Sequence, residues 1–239
     1  MKHSTLAALC AALSTIGAVQ AAEITGGSVG LSYSAFADDT DVNKLSLSGS
    51  VEVGFNRNVS LQFDAGQDSF GASDIDMRAI GLHAIYHMND ATSFGAFYTR
   101  EEAELGGLTD KTDILGLEFG HETGQIDFEG FVGRGESDGG DGTIFGVSGR
   151  YAMANEVGVT GAFDRISSDG IDLDKLTLQL DSDVGQNVNV FVEVGAARVS
   201  GFGQSETEPF VGIGGKITFG AERGATFERR SLGDLLPGL

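Results

Sequence analysis

The sequence predicts an all-β protein, a closed antiparallel up-and-down transmembrane β-barrel of about twelve strands. Three observations predict it. Apolar and small or polar residues alternate in about a dozen segments, no later segment approaches the roughly 18 apolar residues of a spanning helix, and short and long connections alternate. An alternating strand buries one face in an apolar environment and leaves the other in water. A barrel that is apolar outside and polar inside satisfies all of these strands together.

The N-terminus is predicted to be an export signal that covers residues 1–21. Lys2 precedes an apolar stretch at residues 6–19, and Ala21 ends a small-residue cleavage site. The stretch is too short for a spanning helix. Cys10, the only cysteine, lies inside it, so the mature chain is expected to have no disulfide. A closed, hydrogen-bonded barrel would supply the stability that disulfides give other exported proteins.

The composition excludes several classes of protein. The formal net charge is −20, which argues against a nucleic-acid partner because such proteins present a basic face. Hydrophobic residues make up 41% of the chain, yet the mean hydropathy is near zero, as expected when apolar residues alternate instead of clustering. Nothing in the sequence indicates a cofactor.

The second strand shows the alternation most clearly. Leu45, Leu47, Val51, Val53 and Phe55 share one face, and serine, glutamate and glycine occupy the other. Each predicted strand has about 9 to 12 residues, the length that a tilted strand needs to cross a bilayer. The predicted strands start near Ser28, Asn43, Asn58, Met77, Ala91, Thr112, Gln125, Thr143, Glu156, Asp172, Asn187 and Pro209. Two Gly-rich segments, 113–121 and 125–133, have uncertain ends, so ten strands is the alternative.

The connections are predicted to be short at one end of the barrel and long at the other. The longer loops are expected at residues 38–42, 67–76, 102–111, 136–142, 167–171 and 200–208, and short turns join the remaining neighbours. This asymmetry is typical of outer-membrane barrels. An even strand number then places both termini at the short-turn end. A soluble exported sandwich or solenoid is the alternative, but its outer faces would carry more Thr, Lys and Glu.

The last predicted strand, Phe210–Phe219, ends in an aromatic residue. With the export signal and the alternating strands, it makes the chain resemble small bacterial outer-membrane porin-type barrels. The resemblance implies an outer-membrane location, contact with outer-membrane lipid, and the barrel assembly machinery as a partner. In that family the final strand usually ends the protein, whereas twenty more residues follow Phe219 here. The predicted division is therefore a signal peptide at 1–21, a barrel at 22–219 and a tail at 220–239.

The tail has no strand period. It holds three of the fifteen basic residues and ends in an apolar cluster. Three interpretations are open: a plug folded back into an acidic lumen, a periplasmic docking peptide, and a short cap under the barrel, which we favour.

The polar faces of the predicted strands carry the candidate functional residues. Acidic side chains outnumber basic ones there, and opposed rows of charge would set up a field across a pore that favours cations. The candidate pore-lining residues are Lys44, Glu52, Asp64, His83, His87, Glu118, Asp127, Glu129, Arg150, Asp164, Lys175, Glu193 and Lys216, and Glu101 and Asp181 share these faces. A packed interior is the alternative, because barrels of eight strands are filled and those of sixteen or more hold a channel.

Metal binding and catalysis are not expected. His83 and His87 lie four residues apart on one strand face, about 13 Å along it, so they cannot both bind one metal without partners from other strands. The acidic loops match no complete calcium loop. No motif such as G-x-S-x-G supports a hydrolase.

The sequence therefore predicts a porin-like channel for small hydrophilic solutes or cations, with cations favoured. The alternative is a packed structural or adhesion barrel that acts through its acidic loops or its tail. Neither the solute nor the oligomeric state follows from the sequence.

Overall fold

The computed structural model describes residues 22–71, 75–137, 139–153, 156–220 and 225–236, so the predicted export signal and Cys10 lie outside the described residues. The described chain forms one sheet of twelve strands. The strands are β1 (Glu23–Phe36), β2 (Asn43–Asn56), β3 (Val59–Phe70), β4 (Ile75–Asn89), β5 (Thr92–Leu105), β6 (Leu108–Thr123), β7 (Ile126–Ser137), β8 (Gly140–Ala152), β9 (Val157–Ser168), β10 (Ile171–Gly185), β11 (Val188–Gly201) and β12 (Gln204–Gly220).

The sheet closes on itself. Every strand pairs antiparallel with its neighbours in sequence, and β1 pairs with β12 from Gly26 opposite Gly220 to Phe36 opposite Phe210. Closure leaves no strand edge with unpaired backbone groups, which is a requirement for a sheet in lipid. The predicted twelve-stranded barrel is confirmed, and the ten-strand and sandwich alternatives are wrong.

The outer face of the barrel is an apolar band. Large apolar side chains point outward at every second position along the strands and stay exposed, as Leu47 and Leu178 do at 53% and 55%. Further members of the band are Val29, Leu31, Leu45, Phe63, Ile80, Phe94, Leu115, Leu117, Val132, Phe145, Leu176, Leu180, Val192, Val194, Val211 and Ile213. So large an exposed apolar surface indicates an apolar solvent around the barrel.

The two ends of the barrel differ. We call the end at which β1 begins and β12 finishes the terminal end, and the opposite end the distal end. Most of the longer loops predicted at the distal end are strand instead, and β5–β6, β9–β10 and β11–β12 are joined there by two-residue turns. The turn of β5–β6, Gly106-Gly107, has φ of 58° and 83°, as a hairpin turn with two left-handed residues requires.

Charged side chains explain why the strands continue past the apolar band. Cross-strand salt bridges hold neighbouring strands together on the outer face near the distal end, where water can solvate them. They are Arg100–Asp113, Glu102–Lys111, Arg134–Asp141 and Arg165–Asp174. Because charges and polar residues form these strand extensions, the sequence alone makes them look like loops.

The inner face carries an apolar layer, from the middle of the barrel towards the distal end, that the alternation pattern did not predict. Two buried clusters form it. One contains Phe97, Ile114, Ile144 and Leu235, and the other contains Phe36, Ala197 and Phe210. Leu235 belongs to the tail, and the other side chains belong to the strands and point into the barrel. The lumen is therefore polar near the terminal end and partly apolar near the distal end.

The described part of the tail, residues 225–236, contains one four-residue helix, α1 (Leu232–Leu235). The Ser231 hydroxyl caps it by accepting a hydrogen bond from the Asp234 N–H. Within the described ranges, no helix has the length and hydrophobicity to cross a membrane.

Candidate functional site

The tail lies inside the barrel lumen, as a plug would, so the favoured interpretation of a short cap under the barrel is wrong. Near the terminal end, the Thr226 N–H donates to Glu52 Oε2 at 2.8 Å. Near the distal end, the Lys44 ammonium donates to the carbonyl oxygens of Gly233, at 2.7 Å, and Leu236. Glu52 and Lys44 belong to the same strand and are eight residues apart, about 27 Å at the rise of a strand. The tail therefore runs along much of the length of the lumen.

Wall side chains satisfy the backbone of the tail. The amide of Gln62 bonds both the N–H and the C=O of Phe227, at 3.1 and 2.7 Å. Glu101 accepts from the Leu232 N–H at 2.9 Å, and Lys175 donates to the Asp234 carbonyl at 2.7 Å. A buried backbone without regular secondary structure needs such partners, since unpaired polar groups are costly away from water.

Arg230 is the centre of a buried charge network. Its guanidinium lies 3.1 Å from Glu118 and 2.6 Å from Glu129, and it sits 4.5 Å above the Phe131 ring. Glu118 also lies 2.6 Å from Nδ1 of His83, whose Nε2 is 2.6 Å from Asp64. His83 is fully buried. The network links strands β3, β4, β6 and β7 to the tail.

Arg229 forms a second anchor nearer the distal end. Its guanidinium bridges Asp68 on β3, at 3.0 Å, and Asp234 on α1, at 2.5 Å. At Gly66 the wall has no side chain, and a Cβ atom there would overlap the guanidinium of Arg229. The wall therefore requires glycine at residue 66 to admit Arg229.

Phe227 occupies a similar recess. Its ring stacks on His83 at 6.5 Å between centroids and is 3% exposed. Cβ atoms at Gly95 and Gly120 would lie 2.9 and 3.1 Å from the ring, closer than side chains normally pack. Glycines on β5 and β6 thus form the recess that holds the ring.

The tail occupies one side of the lumen. Most of its hydrogen bonds and ion pairs are with β2–β7, and Lys175 of β10 and Lys216 of β12 reach it from the opposite wall. Two cavities of about 250 and 150 Å³ lie beside it and are lined by residues of β7–β12, β1 and β2. Both cavities are lined by Ser48, Lys175, Arg229 and Asp234, so they adjoin. The inner faces there are rich in serine and glycine, which leave room that larger side chains would fill.

Lys216 reaches the tail across this open side. Its ammonium lies 2.7 Å from Glu228, and the attraction holds the pKa of the Glu228 carboxyl below its usual range. Nearby, Arg150 pairs with Asp181 at 2.6 Å. These contacts place most charges of the lumen in pairs, although acidic groups still outnumber basic ones.

All thirteen sequence-predicted pore-lining residues lie on inner-face positions of the strands. The structure brings Glu52, Asp64, His83, Glu118 and Glu129 together around the tail. His87 lies apart from His83, 3.4 Å from Glu52. The remaining members, on the open side or at its margins, are Lys44, Asp127, Arg150, Asp164, Lys175, Glu193 and Lys216.

Sequence reasoning missed several residues of the site. The sequence predicts a loop at 67–76, but Asp68 within it lies on β3 and is 1% exposed. The sequence analysis does not identify Gln62, Arg229 or Arg230. Two adjacent arginines that follow an acidic barrel sequence nevertheless indicate a segment that can pair with carboxylates of the lumen. Inward-facing glycines such as Gly66 are a second signal, since they mark places where another segment approaches closely.

The described part of the chain contains no group of three or more His, Cys, Asp or Glu side chains arranged to hold a metal ion. His83 contacts its two carboxylates directly at hydrogen-bond distance. Its role in the site is therefore to bridge Asp64 and Glu118.

Comparisons with known proteins agree with the fold. No protein-family model matches the chain, and no curated protein matches it. The KdgM porin, solved in complex with disordered oligogalacturonate, is similar with a TM-score of 0.62 at 12% identity, over 80% of this chain and 99% of that chain. The NanC porin has a TM-score of 0.56 at 8% identity, over 80% and 98%. An outer-membrane channel from Pseudomonas putida F1 has a TM-score of 0.50 at 13% identity, over 85% and 99%.

Identities this low show likeness of fold alone. The fold that the chain shares with these proteins is the closed antiparallel β-barrel of porins, and the resemblance expected from the sequence is confirmed at the level of the fold.

Proposed function

We propose that the chain is an outer-membrane channel that passes small hydrophilic solutes between its internal tail and the wall of β7–β12, β1 and β2. The observation that carries the proposal is the pair of adjoining polar cavities beside the tail, inside a closed barrel with an apolar outer band. A polar lumen within an apolar shell is the arrangement of diffusion channels. The porin fold of the structural neighbours supports the same function.

The proposed location is the outer membrane, reached through the export signal at residues 1–21. The apolar band would contact lipid, and the strand extensions with their cross-strand salt bridges would project into water. Barrel assembly machinery is the expected partner for insertion. We place the terminal end on the periplasmic side, as is usual where short turns and termini share one end.

We further propose that the channel favours cations. The tail adds two arginines and two carboxylates to the lumen, so it leaves the acidic excess of the wall unchanged. Glu193 lines the smaller cavity with Lys44, Lys175 and Arg229, and no cation of the described residues lies within salt-bridge distance of its carboxylate. An unpaired carboxylate beside a narrow passage attracts cations and repels anions.

Single-channel recording tests both statements. The mature chain would be refolded into lipid, and its current and reversal potential would be recorded under a salt gradient. We expect steady current steps and a reversal potential that shows selectivity for cations. Glu193→Gln should shift the reversal potential in the direction of anion selectivity. Ser28→Ala, a neutral change on the lumen face outside both cavities, is the matched control. An unchanged reversal potential in Glu193→Gln would remove Glu193 from the permeation path.

A packed structural barrel is the second candidate. The apolar layer near the distal end and the tail favour it, because both fill the lumen. The absence of any current from a correctly folded, heat-modifiable barrel would exclude the channel and leave this candidate.

A further inference from the structure

The lumen wall beside the tail binds a peptide main chain. The fully buried amide of Gln62 accepts a hydrogen bond from the N–H of Phe227 and donates one to its C=O. Glu52 and Glu101 accept from two further N–H groups of the tail, and Lys175 donates to a carbonyl oxygen. Main-chain bonds of this kind do not depend on which side chains the bound segment carries. A peptide from another source would therefore find the same partners.

Three pockets on this part of the wall select side chains. The recess formed by glycines of β5 and β6 takes an aromatic ring, and the gap at Gly66 takes a guanidinium. A second guanidinium lies between Glu118 and Glu129. In the tail these groups come from residues 227–230, which are an aromatic residue, a spacer and two adjacent arginines. The wall thus recognises a short linear pattern of side chains.

The tail leaves one group of this wall unsatisfied. Glu101 is 2% exposed, and its Oε2 atom accepts from the Leu232 N–H. Its Oε1 atom has no hydrogen-bond partner among the described residues. A buried carboxylate oxygen without a donor costs stability, so its presence needs an explanation outside the docking of the tail. A side chain with a donor at the position of Leu232 would satisfy it.

The pocket of Arg230 is reachable from the open part of the lumen. The cavity of about 250 Å³ borders the tail along residues 228–231 and is lined by Glu129 and Phe131. The Glu129 side chain is 23% exposed although it pairs with Arg230. An incoming guanidinium therefore meets this carboxylate before the tail has left, and it can displace the tail step by step.

We propose that this part of the lumen is a binding site for linear cationic peptides and that the tail is an internal competitor for it. The ligand carries an aromatic residue, a spacer and two adjacent basic residues, then one further residue and a third basic one. The first two basic side chains pair with Asp68, Glu118 and Glu129, and the third donates to Glu101. An anionic ligand would face these four carboxylates. Binding does not require that the barrel conducts.

Fluorescence anisotropy with the refolded mature chain tests the site. The probe is a labelled peptide with the sequence of residues 225–236 that carries Leu232→Lys. The protein variant Arg229→Gln/Arg230→Gln keeps every wall residue and weakens the hold of the tail. It should bind the probe at least about tenfold more tightly than the wild type, in which the tail competes at a high effective concentration. A scrambled peptide of the same composition is the control for net charge.

The two peptides separate recognition from charge attraction. Saturable binding of the probe to Arg229→Gln/Arg230→Gln, with at least about tenfold weaker binding of the scrambled peptide, supports the site. The absence of saturable binding, or equal binding of the two peptides, overturns the proposal.

Glu101→Gln tests the third basic residue. In the same background it should weaken probe binding about fivefold, because the lysine loses its charged acceptor. It should leave a peptide with leucine at that position unchanged, since glutamine still accepts from the main-chain N–H. Equal probe binding with and without Glu101→Gln overturns the assignment of the third basic residue to Glu101.

The wild type supplies the test if Arg229→Gln/Arg230→Gln loses its heat-modifiable barrel. Excess probe should displace the tail and expose it to protease, as detected by mass spectrometry, and the scrambled peptide should not. A tail that stays equally protected with both peptides overturns the proposal. A barrel that binds the probe but carries no current contradicts the proposed channel and supports the peptide site.

Discussion

At the scale of the residue, Arg230 is the side chain on which the position of the tail depends most. It is 7% exposed and contacts two carboxylates from different strands, Glu118 and Glu129. Removing one partner from a buried ion pair is costly because the remaining charges stay buried without compensation. An exposed pair on the outer face, such as Arg134 with Asp141, lacks this penalty since water solvates both groups.

We therefore expect Arg230→Gln to lower the free energy of unfolding by about 3 kcal/mol. It should also expose the tail to protease in the folded barrel. Arg134→Gln is the matched control and should change neither property appreciably. The measurements are chemical unfolding in lipid vesicles and mass spectrometry after limited proteolysis. Equal stability and equal protease resistance of the two variants would show that Arg230 does not hold the tail.

At the scale of the element, the barrel and the tail are held in place by different interactions. The barrel closes through β1 and β12, and of the predicted tail only Gly220, the last residue of β12, takes part in that pairing. The tail instead relies on side chains of β2–β7, on Lys175 and Lys216, and on recesses at Gly66, Gly95 and Gly120. The barrel should therefore form without the tail, whereas the tail has no fold without the barrel.

Deleting residues 221–239 should leave a folded, heat-modifiable barrel with a larger conductance than the full chain, because the tail occupies one side of the lumen. A synthetic peptide of residues 225–239 added to the truncated barrel should restore the smaller conductance. The same peptide with Gln in place of Arg229 and Arg230 is the control and should act far more weakly. Identical conductance with and without the tail would place the permeation path away from it.

The strands could be predicted from the sequence because their signal is local. Alternation such as that from Leu45 to Phe55 fixes which side chains face out, and closure follows from an even number of such strands. The strand extensions at the distal end were missed because charges such as Glu102 and Lys111, which pair across strands, resemble those of a loop. The tail contacts were missed for another reason: Arg230 and Glu118 are 112 residues apart, and no local period connects them.

At the scale of the whole molecule, the barrel is divided into layers along its axis. The middle of the outer face is apolar, and salt bridges such as Arg165–Asp174 stand above it near the distal end. In β10 the apolar part of the outer face runs from Leu176 to Val184, about 27 Å along the strand before tilt is considered. Tilt shortens this span to about the height of the apolar band of outer-membrane barrels.

This layering gives the test of whether the barrel spans a membrane. Leu178 lies within the apolar band, whereas Leu108 follows the β5–β6 turn at the distal end and is 78% exposed. Leu178→Arg should lower the free energy of unfolding in lipid vesicles by about 2–4 kcal/mol, because it places a charge in hydrocarbon. Leu108→Arg, the same change outside the band, should have little effect. In water without lipid a soluble barrel would tolerate both changes alike, so equal small effects of the two variants in vesicles would contradict a transmembrane barrel.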